Sequence, residues 1–144
     1  MNMKKTFILI FTILIVIMII IFVNIQNIQK NKQKILNFNS EFEYYSKGEI
    51  LGTDITTLIN KAINENEKND IEKDEKGYYL ENEENSIKIF IKMKAAENIY
   101  PMENFYKAGI NDFTKYFGSV KFKSTDKKYH KKTGQISEIY FEEQ

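Results

Sequence analysis

The most prominent feature of the chain is an unbroken apolar run near its beginning. Residues 7–23 carry apolar side chains at every position except Thr12. At ~1.5 Å of rise per residue, a helix of this length spans roughly 26 Å, close to the ~30 Å hydrocarbon core of a bilayer. A chain this short has too little core to bury a helix that is apolar on every side. The pattern therefore predicts a membrane-spanning helix over residues 7–23.

The flanks of this run determine what kind of membrane segment it is. Lys4 and Lys5 resemble the charged start of a secretory signal, so a cleaved signal is the alternative. No small-residue cleavage site follows the run, and a chain without cysteine offers no thiol for lipoprotein acylation. We therefore expect an uncleaved signal-anchor in the cell membrane. The lysines on the two sides nearly balance, but the short segment 1–6 favours a cytoplasmic N-terminus and an extracytoplasmic remainder.

Beyond the run, apolar residues recur at helical spacing while polar residues fill the positions between them. Neither Gly nor Pro occurs between Thr6 and Ser46, so the helix is predicted to continue as a stalk over residues 24–47. Gly48 is expected to end it in a left-handed conformation. This apolar stripe must be covered by the chain's own domain, the more economical interpretation, or by a second copy. The stripe, called here the seam, consists of Ile28, Ile35, Phe38, Phe42 and Tyr45.

Residues 48–144 are predicted to form one extracytoplasmic domain. Thr53 or Asp54 is expected to cap a short amphipathic helix, followed by a polar loop over 64–77 whose carboxylates lack the spacing of a calcium loop. Two further short helices are predicted over 102–108 and from about 111 to 117, separated by Gly109. The buried face of the first helix is predicted to be Ile55, Leu58, Ile59, Ala62 and Ile63, and the aromatic core Phe105, Tyr106, Phe113, Tyr116 and Phe117.

Alternating patterns predict the strands of this domain. In residues 86–93, apolar side chains occupy every second position, and we expect this strand to form a hairpin with residues 78–80. Residues 120–124 and 136–141 are predicted to form a second hairpin around the turn Thr133-Gly134. The expected fold is therefore α+β, with a long N-terminal helix packed on an antiparallel sheet of about four strands and short helices.

Composition excludes much of the usual catalytic chemistry. The chain has no cysteine and one histidine, and it contains none of the common nucleophile, phosphate-loop or zinc-protease motifs. His130 lies among lysines and is expected to be an exposed loop residue. We therefore assign no catalytic, cofactor-binding or metal-binding residues, and we expect no cofactor, no small-molecule substrate and no enzymatic activity.

The net charge of +1 conceals a change of sign along the chain. Residues 48–118 carry nine Lys and fourteen Asp or Glu, whereas residues 119–137 carry six Lys and one Asp. Lysines with interleaved aromatic residues suit anionic polymers such as nucleic acid, teichoic acid or lipid headgroups. The interpretation we favour is a solvated hairpin whose charge is offset by the acidic stretch 65–84. The polymer-binding candidates are Lys121, Lys123, Lys127, Lys128, Tyr129, His130, Lys131 and Lys132.

The layout of a half-embedded N-terminal helix followed by an antiparallel sheet resembles type IV pilins and pseudopilins. Residues 50–59, ILGTDITTLI, are similar to the segment after the long helix in Gram-positive pilin-like proteins. Pilins carry a Gly before the apolar run, for the prepilin peptidase, and a Glu five residues into the run. Here Lys5-Thr6 precedes the run and Phe11 occupies the position of the Glu, so the likeness is one of layout. The chain also resembles small single-span membrane proteins of AT-rich Gram-positive bacteria, a likeness that implies no activity.

These observations predict a membrane-anchored extracytoplasmic structural or interaction protein, of which a pseudopilin-like assembly component is one form. The alternative is a binding module for an anionic polymer that uses the basic hairpin over residues 121–132. The expected partners are the lipid bilayer and either a protein partner or a second copy of the chain, with an anionic envelope polymer or nucleic acid as the alternative.

Overall fold

A computed structural model describes residues 3–144; the first two residues of the predicted cytoplasmic tip lie outside this range. The chain divides into two compact units, the first reaching Leu36 and the second comprising Asn37–Gln144. The boundary falls inside a single helix, α1, which runs over Met3–Tyr44. This boundary lies within the predicted stalk of 24–47.

The first unit consists of α1 up to Leu36. Every side chain of residues 7–23 is exposed, whereas the core helix of a soluble protein would be mostly buried. By length and composition, α1 is a helix able to cross a membrane, and it lies near the N-terminus. The predicted spanning helix is therefore present as a helix with an uncovered apolar surface.

The end of α1 differs from the expectation. The helix stops at Tyr44, where two hydrogen bonds span three residues instead of four and tighten the last turn. Tyr45 N donates to Phe42 O (3.3 Å), and Ser46 N donates to Glu43 O (3.0 Å). Gly48 is absent from the glycines with positive φ, so the prediction of a left-handed terminal glycine was wrong. This turn supplies hydrogen-bond donors to the carbonyls of Phe42 and Glu43 near the end of the helix.

The second unit is α+β, as predicted, but its sheet is mixed. The strand order is β1-β4-β5-β2-β3, and every pairing is antiparallel except that of β2 with β5, which is parallel. The estimate of about four strands was close to the five observed. In chain order the elements after α1 are β1 Glu49–Leu51, α2 Gly52–Lys68, β2 Lys88–Lys92, β3 Ile99–Pro101, α3 Met102–Phe117, β4 Lys121–Tyr129 and β5 Ile136–Glu143.

The first predicted hairpin was wrong. Residues 78–80 contribute only an isolated bridge between Lys73 and Tyr79, and β2 pairs with β3 and with β5 instead. The alternation did locate β2 correctly, because Ile87, Ile89 and Ile91 are all buried. A period of two shows which face of a strand is buried, but it does not choose the neighbouring strand.

The helices of the second unit match their patterns more closely. The predicted face of α2 is entirely buried, although α2 extends to Lys68 and so includes the start of the expected loop. The prediction of Thr53 or Asp54 as the N-cap was wrong, because Leu51 holds that position. Asp54 is the third helical residue, and its carboxylate accepts from Leu51 N at 3.0 Å. α3 leaves helical geometry at Gly109 (φ 108°, ψ 97°), where the sequence predicts a break.

One core holds this unit together. It joins the last turns of α1 to α2, α3 and one face of the sheet, and Phe113 packs its ring against Phe105, Phe117 and Phe122 at centroid distances of 5.1, 5.3 and 6.1 Å. Tyr106 and Tyr116, which were predicted to lie in this aromatic core, are exposed.

Candidate interaction surfaces

The basic hairpin is formed by β4 and β5, as predicted. Lys127 pairs with Ile139 and Lys128 with Glu138 in an antiparallel register. The turn is closed by bonds from His130 N to Gln135 O and from Gly134 N to His130 O, each 2.8 Å long. Gly134 has φ of 73°, a left-handed conformation that glycine adopts without strain.

Four of the six hairpin lysines form ion pairs with carboxylates from other elements or the opposite strand. Lys121 pairs with Glu49 on β1 and Lys128 with Glu138 on β5, both at 2.8 Å. Lys132 pairs with Glu84, a residue of the acidic stretch 65–84. Lys127 lies 3.9 Å from Glu43 at the end of α1. Within residues 3–144, Lys123 and Lys131 are exposed and form no ion pair, so the hairpin presents less uncompensated positive charge than its sequence suggests.

The Lys128–Glu138 pair favours the charged form of both side chains. The hydrogen bond to the Glu138 carboxylate, followed by the bond to the Tyr140 hydroxyl, raises the pKa of Lys128. Burial on its own would raise the pKa of Glu138, but the hydrogen bonds from Lys128 and Tyr140 outweigh it and hold that pKa below its ordinary value. Lys128 is therefore committed to a contact within the domain, on the face where Tyr140 stacks on Phe90 at 4.7 Å.

His130 was expected to be exposed, and this prediction was wrong. The residue is 4% exposed, and its Nε2 lies 2.7 Å from Ser86 O. Because a carbonyl oxygen only accepts, Nε2 carries the proton in this bond. The reason is tertiary, because the loop before β2 folds over the hairpin turn: Thr133 Oγ1 donates to Glu84 O at 2.7 Å. His130 thus serves as a structural tie between two loops.

The last turns of α1 also bind the hairpin. Asn39 donates from Nδ2 to Gly134 O at 2.9 Å and accepts from Ile136 N at 2.8 Å. Tyr129 Oη donates to Glu43 at 3.1 Å, and burial followed by this carboxylate raises the pKa of Tyr129. Sequence reasoning treated Asn39 and Glu43 as polar filler, and their only sequence signal is their position beside the seam residues Phe38 and Phe42.

The seam is divided between the two units. In the second unit, Phe42 is 1% exposed and Tyr45 9%, and the half-buried Phe38 stacks on Phe42 at 4.4 Å. The domain thus covers this part of the stripe with its own core. Ile35 lies in the first unit, as does Ile28, which is 55% exposed.

Glu103 is buried, and its Oε1 accepts from Tyr79 N at 3.0 Å while Oε2 has no hydrogen-bond partner among residues 3–144. Across the same range, the structure brings together no group of three or more His, Asp or Glu side chains that would hold a metal ion.

No protein-family model, curated protein or solved structure matches the chain.

Proposed function

We propose that this chain is a single-pass membrane protein that holds a small α+β interaction domain outside the cytoplasm. The observation that supports the anchor is the exposed apolar surface of α1 over residues 7–23. Each Ile, Leu, Phe or Val contributes about −0.3 to −0.6 kcal/mol to insertion, so the run favours the bilayer by several kcal/mol. The domain then binds a protein partner rather than converting a substrate.

Two features support a binding role over a catalytic one. The single histidine is buried and donates its ring N–H to a backbone carbonyl, so it has no access to a substrate. The exposed surface instead carries large apolar side chains of the kind that protein interfaces use. Tyr44, Tyr116 and Ile99 are among them, and each is at least half exposed.

The anchor is tested by membrane extraction. We expect the full chain to stay in the membrane fraction at alkaline pH in carbonate and to retain its N-terminal residues by mass spectrometry. Replacing Val16 and Ile17 by Lys should release much of the protein, because two lysines at the helix centre cost about 6 kcal/mol and offset most of the insertion energy. Replacing Asn24 and Gln26 by Lys adds the same charge outside the run and should leave the protein in the membrane.

Release of the unaltered chain by carbonate, or a trimmed soluble product, would contradict the anchor. The orientation of the chain is tested in cells by cysteine labelling. Because the sequence has no cysteine, one introduced cysteine is the only thiol of the protein that can be labelled. A cysteine replacing the exposed Ser119 should react with a membrane-impermeant maleimide in intact cells. A cysteine replacing Met3 should react only after the cells are permeabilised. The reverse pattern would place the domain in the cytoplasm.

A pseudopilin-like assembly role is the second candidate, and the continuity of α1 over Met3–Tyr44 favours it. In that role the seam would contact other copies of the chain. In the second unit, however, Phe42 and Tyr45 are already covered by the domain core. The two candidates therefore differ in whether the stripe is available for self-association.

Residues 30–144 without the anchor are expected to be a soluble monomer by sedimentation equilibrium. Phe38→Glu should lower the free energy of unfolding by about 1–3 kcal/mol, because a half-buried ring stacked on Phe42 is replaced by a carboxylate. Leu36→Glu is the matched control: its side chain is exposed, and the expected change is within about 0.5 kcal/mol. A concentration-dependent oligomer that either substitution dissolves would favour the assembly role.

A further inference from the structure

The start of α1 carries positive charge that no acidic residue near it in sequence offsets, whereas most of the charge on the basic hairpin is paired. No Asp or Glu precedes Glu41 in the sequence, so residues 1–40 carry five lysines and no acidic residue. Lys30, Lys32 and Lys34 are exposed, and within the described chain none of them forms an ion pair. Most of the hairpin lysines, in contrast, are paired with carboxylates.

These three lysines lie at a defined distance from the apolar run. They follow Val23 by seven, nine and eleven residues, roughly 10 to 16 Å along the axis at 1.5 Å per residue. Ile25 and Ile28 extend the apolar surface part of that way. Side chains of a helix tilt toward its N-terminus, which is here toward the predicted bilayer, and lysine stems are long enough to reach back to the interface.

The three lysines lie on two opposite sides of the helix instead of forming one stripe along it. At about 100° per residue, Lys34 lies about 40° from Lys30, and Lys32 lies about 160° from it. A groove on one protein partner would contact one side of the helix only, whereas lipid headgroups surround a spanning helix on every side. The arrangement therefore fits a leaflet surface better than a single protein groove.

We propose that Lys30, Lys32 and Lys34 form a cationic collar that binds the phosphate groups of anionic phospholipids in the leaflet from which α1 emerges. This inference rests on the proposed membrane anchor. Each lysine held near an anionic surface raises the equilibrium constant for binding to that surface about fivefold. The collar would enrich anionic lipids around the helix and fix the depth at which α1 leaves the bilayer.

The test uses the full chain in bilayer nanodiscs made of phosphatidylcholine and phosphatidylglycerol. A fluorophore is attached to a cysteine replacing the exposed Asn31, and trace lipids carry a headgroup nitroxide that quenches on contact. With the native lysines, quenching by labelled phosphatidylglycerol should exceed quenching by labelled phosphatidylcholine at least about twofold at low salt. The ratio should fall toward one at 1 M salt, where the Debye length is about 3 Å.

The lysine variants assign the effect to the collar. Replacing Lys30, Lys32 and Lys34 by Gln should bring the quenching ratio to about one even at low salt. Replacing Lys94, Lys123 and Lys131 by Gln makes the same change of charge on exposed side chains of the second unit and should leave the ratio unchanged. A ratio of one with the native lysines, or an equal loss in both variants, would overturn the collar.

A second label separates the failure of the collar from the failure of the anchor. A fluorophore on a cysteine replacing Ile15 should be quenched by acyl-chain nitroxides in every lipid mixture, because this residue lies in the middle of the apolar run. Absence of that quenching overturns the anchor itself. Quenching at position 15 without a lipid preference at position 31 overturns the collar and retains the anchor.

Discussion

Replacing Gly52 by Ala is expected to destabilise the second unit by about 3 kcal/mol or more, one of the largest effects of any single methyl group in this chain. A Cβ added at Gly52 would lie 1.9 Å from Phe117 O and 2.6 Å from Phe117 C. Both atoms belong to the backbone at the end of α3, so no side-chain rotation relieves the clash. The start of α2 must move away from the end of α3.

This movement would break the bonds that join the two helix ends. Gly52 N donates to Val120 O at 2.8 Å, and Thr53 N donates to Gly118 O at 3.1 Å. Buried backbone groups left without partners cost about 1–3 kcal/mol each, in addition to the steric strain. The effect is measured by urea unfolding of residues 30–144, followed by circular dichroism.

Gly48→Ala is the matched control for this substitution. A Cβ at Gly48 meets nothing within 4 Å, and Gly48 is not among the residues with positive φ. Its expected effect is within about 0.5 kcal/mol. Equal stabilities of the two alanine variants would show that α2 and α3 do not approach as closely as the structure indicates.

Gly52 illustrates what the sequence reveals and what it leaves out. The segment Gly52-Thr53-Asp54 was interpreted as a capping turn, and Asp54 does accept from the backbone at the start of α2. Capping is visible in sequence because it depends on neighbouring residues. The close approach of Phe117 to Gly52 depends on residues 65 positions apart, and no local pattern signals it.

The same distinction separates the correct strand predictions from the wrong one. Burial of Ile87, Ile89 and Ile91 follows from their alternation, and the β4–β5 hairpin follows from a turn between adjacent strands. The parallel pairing of Ile89 with Ile139 joins strands separated by α3 and two other strands. Such pairings are chosen by packing of the whole unit, so the local pattern led to the nearer and incorrect partner, residues 78–80.

The candidate surfaces were predicted less well than the fold for a related reason. A sequence shows the charge of each lysine, but not the carboxylate that folding brings beside it. Lys121 and Glu49 lie on neighbouring strands far apart in sequence, and Lys132 and Glu84 lie on two loops. The charge change near residue 118 is thus partly cancelled by contacts within the fold. Lys30, Lys32 and Lys34 on α1, in contrast, form no ion pair within residues 3–144.

Replacing Asn66 by Leu is expected to lower the free energy of unfolding by about 3–5 kcal/mol. Asn66 is 0% exposed, and its side-chain amide forms two hydrogen bonds with the backbone of Ile87. Nδ2 donates to Ile87 O at 2.7 Å, and Ile87 N donates to Oδ1 at 2.8 Å. Leu fills a similar volume but leaves the Ile87 N–H and C=O buried without partners.

The consequence should be local as well as global, because Asn66 ties the last turn of α2 to the residue that precedes β2. We therefore expect the Ile87 amide to exchange with deuterium much faster in Asn66→Leu than in the native chain. Asn64→Leu, on an exposed face of the same helix, is the matched control and should change stability by no more than about 0.5 kcal/mol. If both leucine variants unfold at the same urea concentration and Ile87 stays protected in both, the Asn66 side chain does not hold β2 in place. If only Asn66→Leu loses stability and protection, the buried amide of Asn66 fixes the position of β2. The sequence had suggested that this polar stretch was a surface loop.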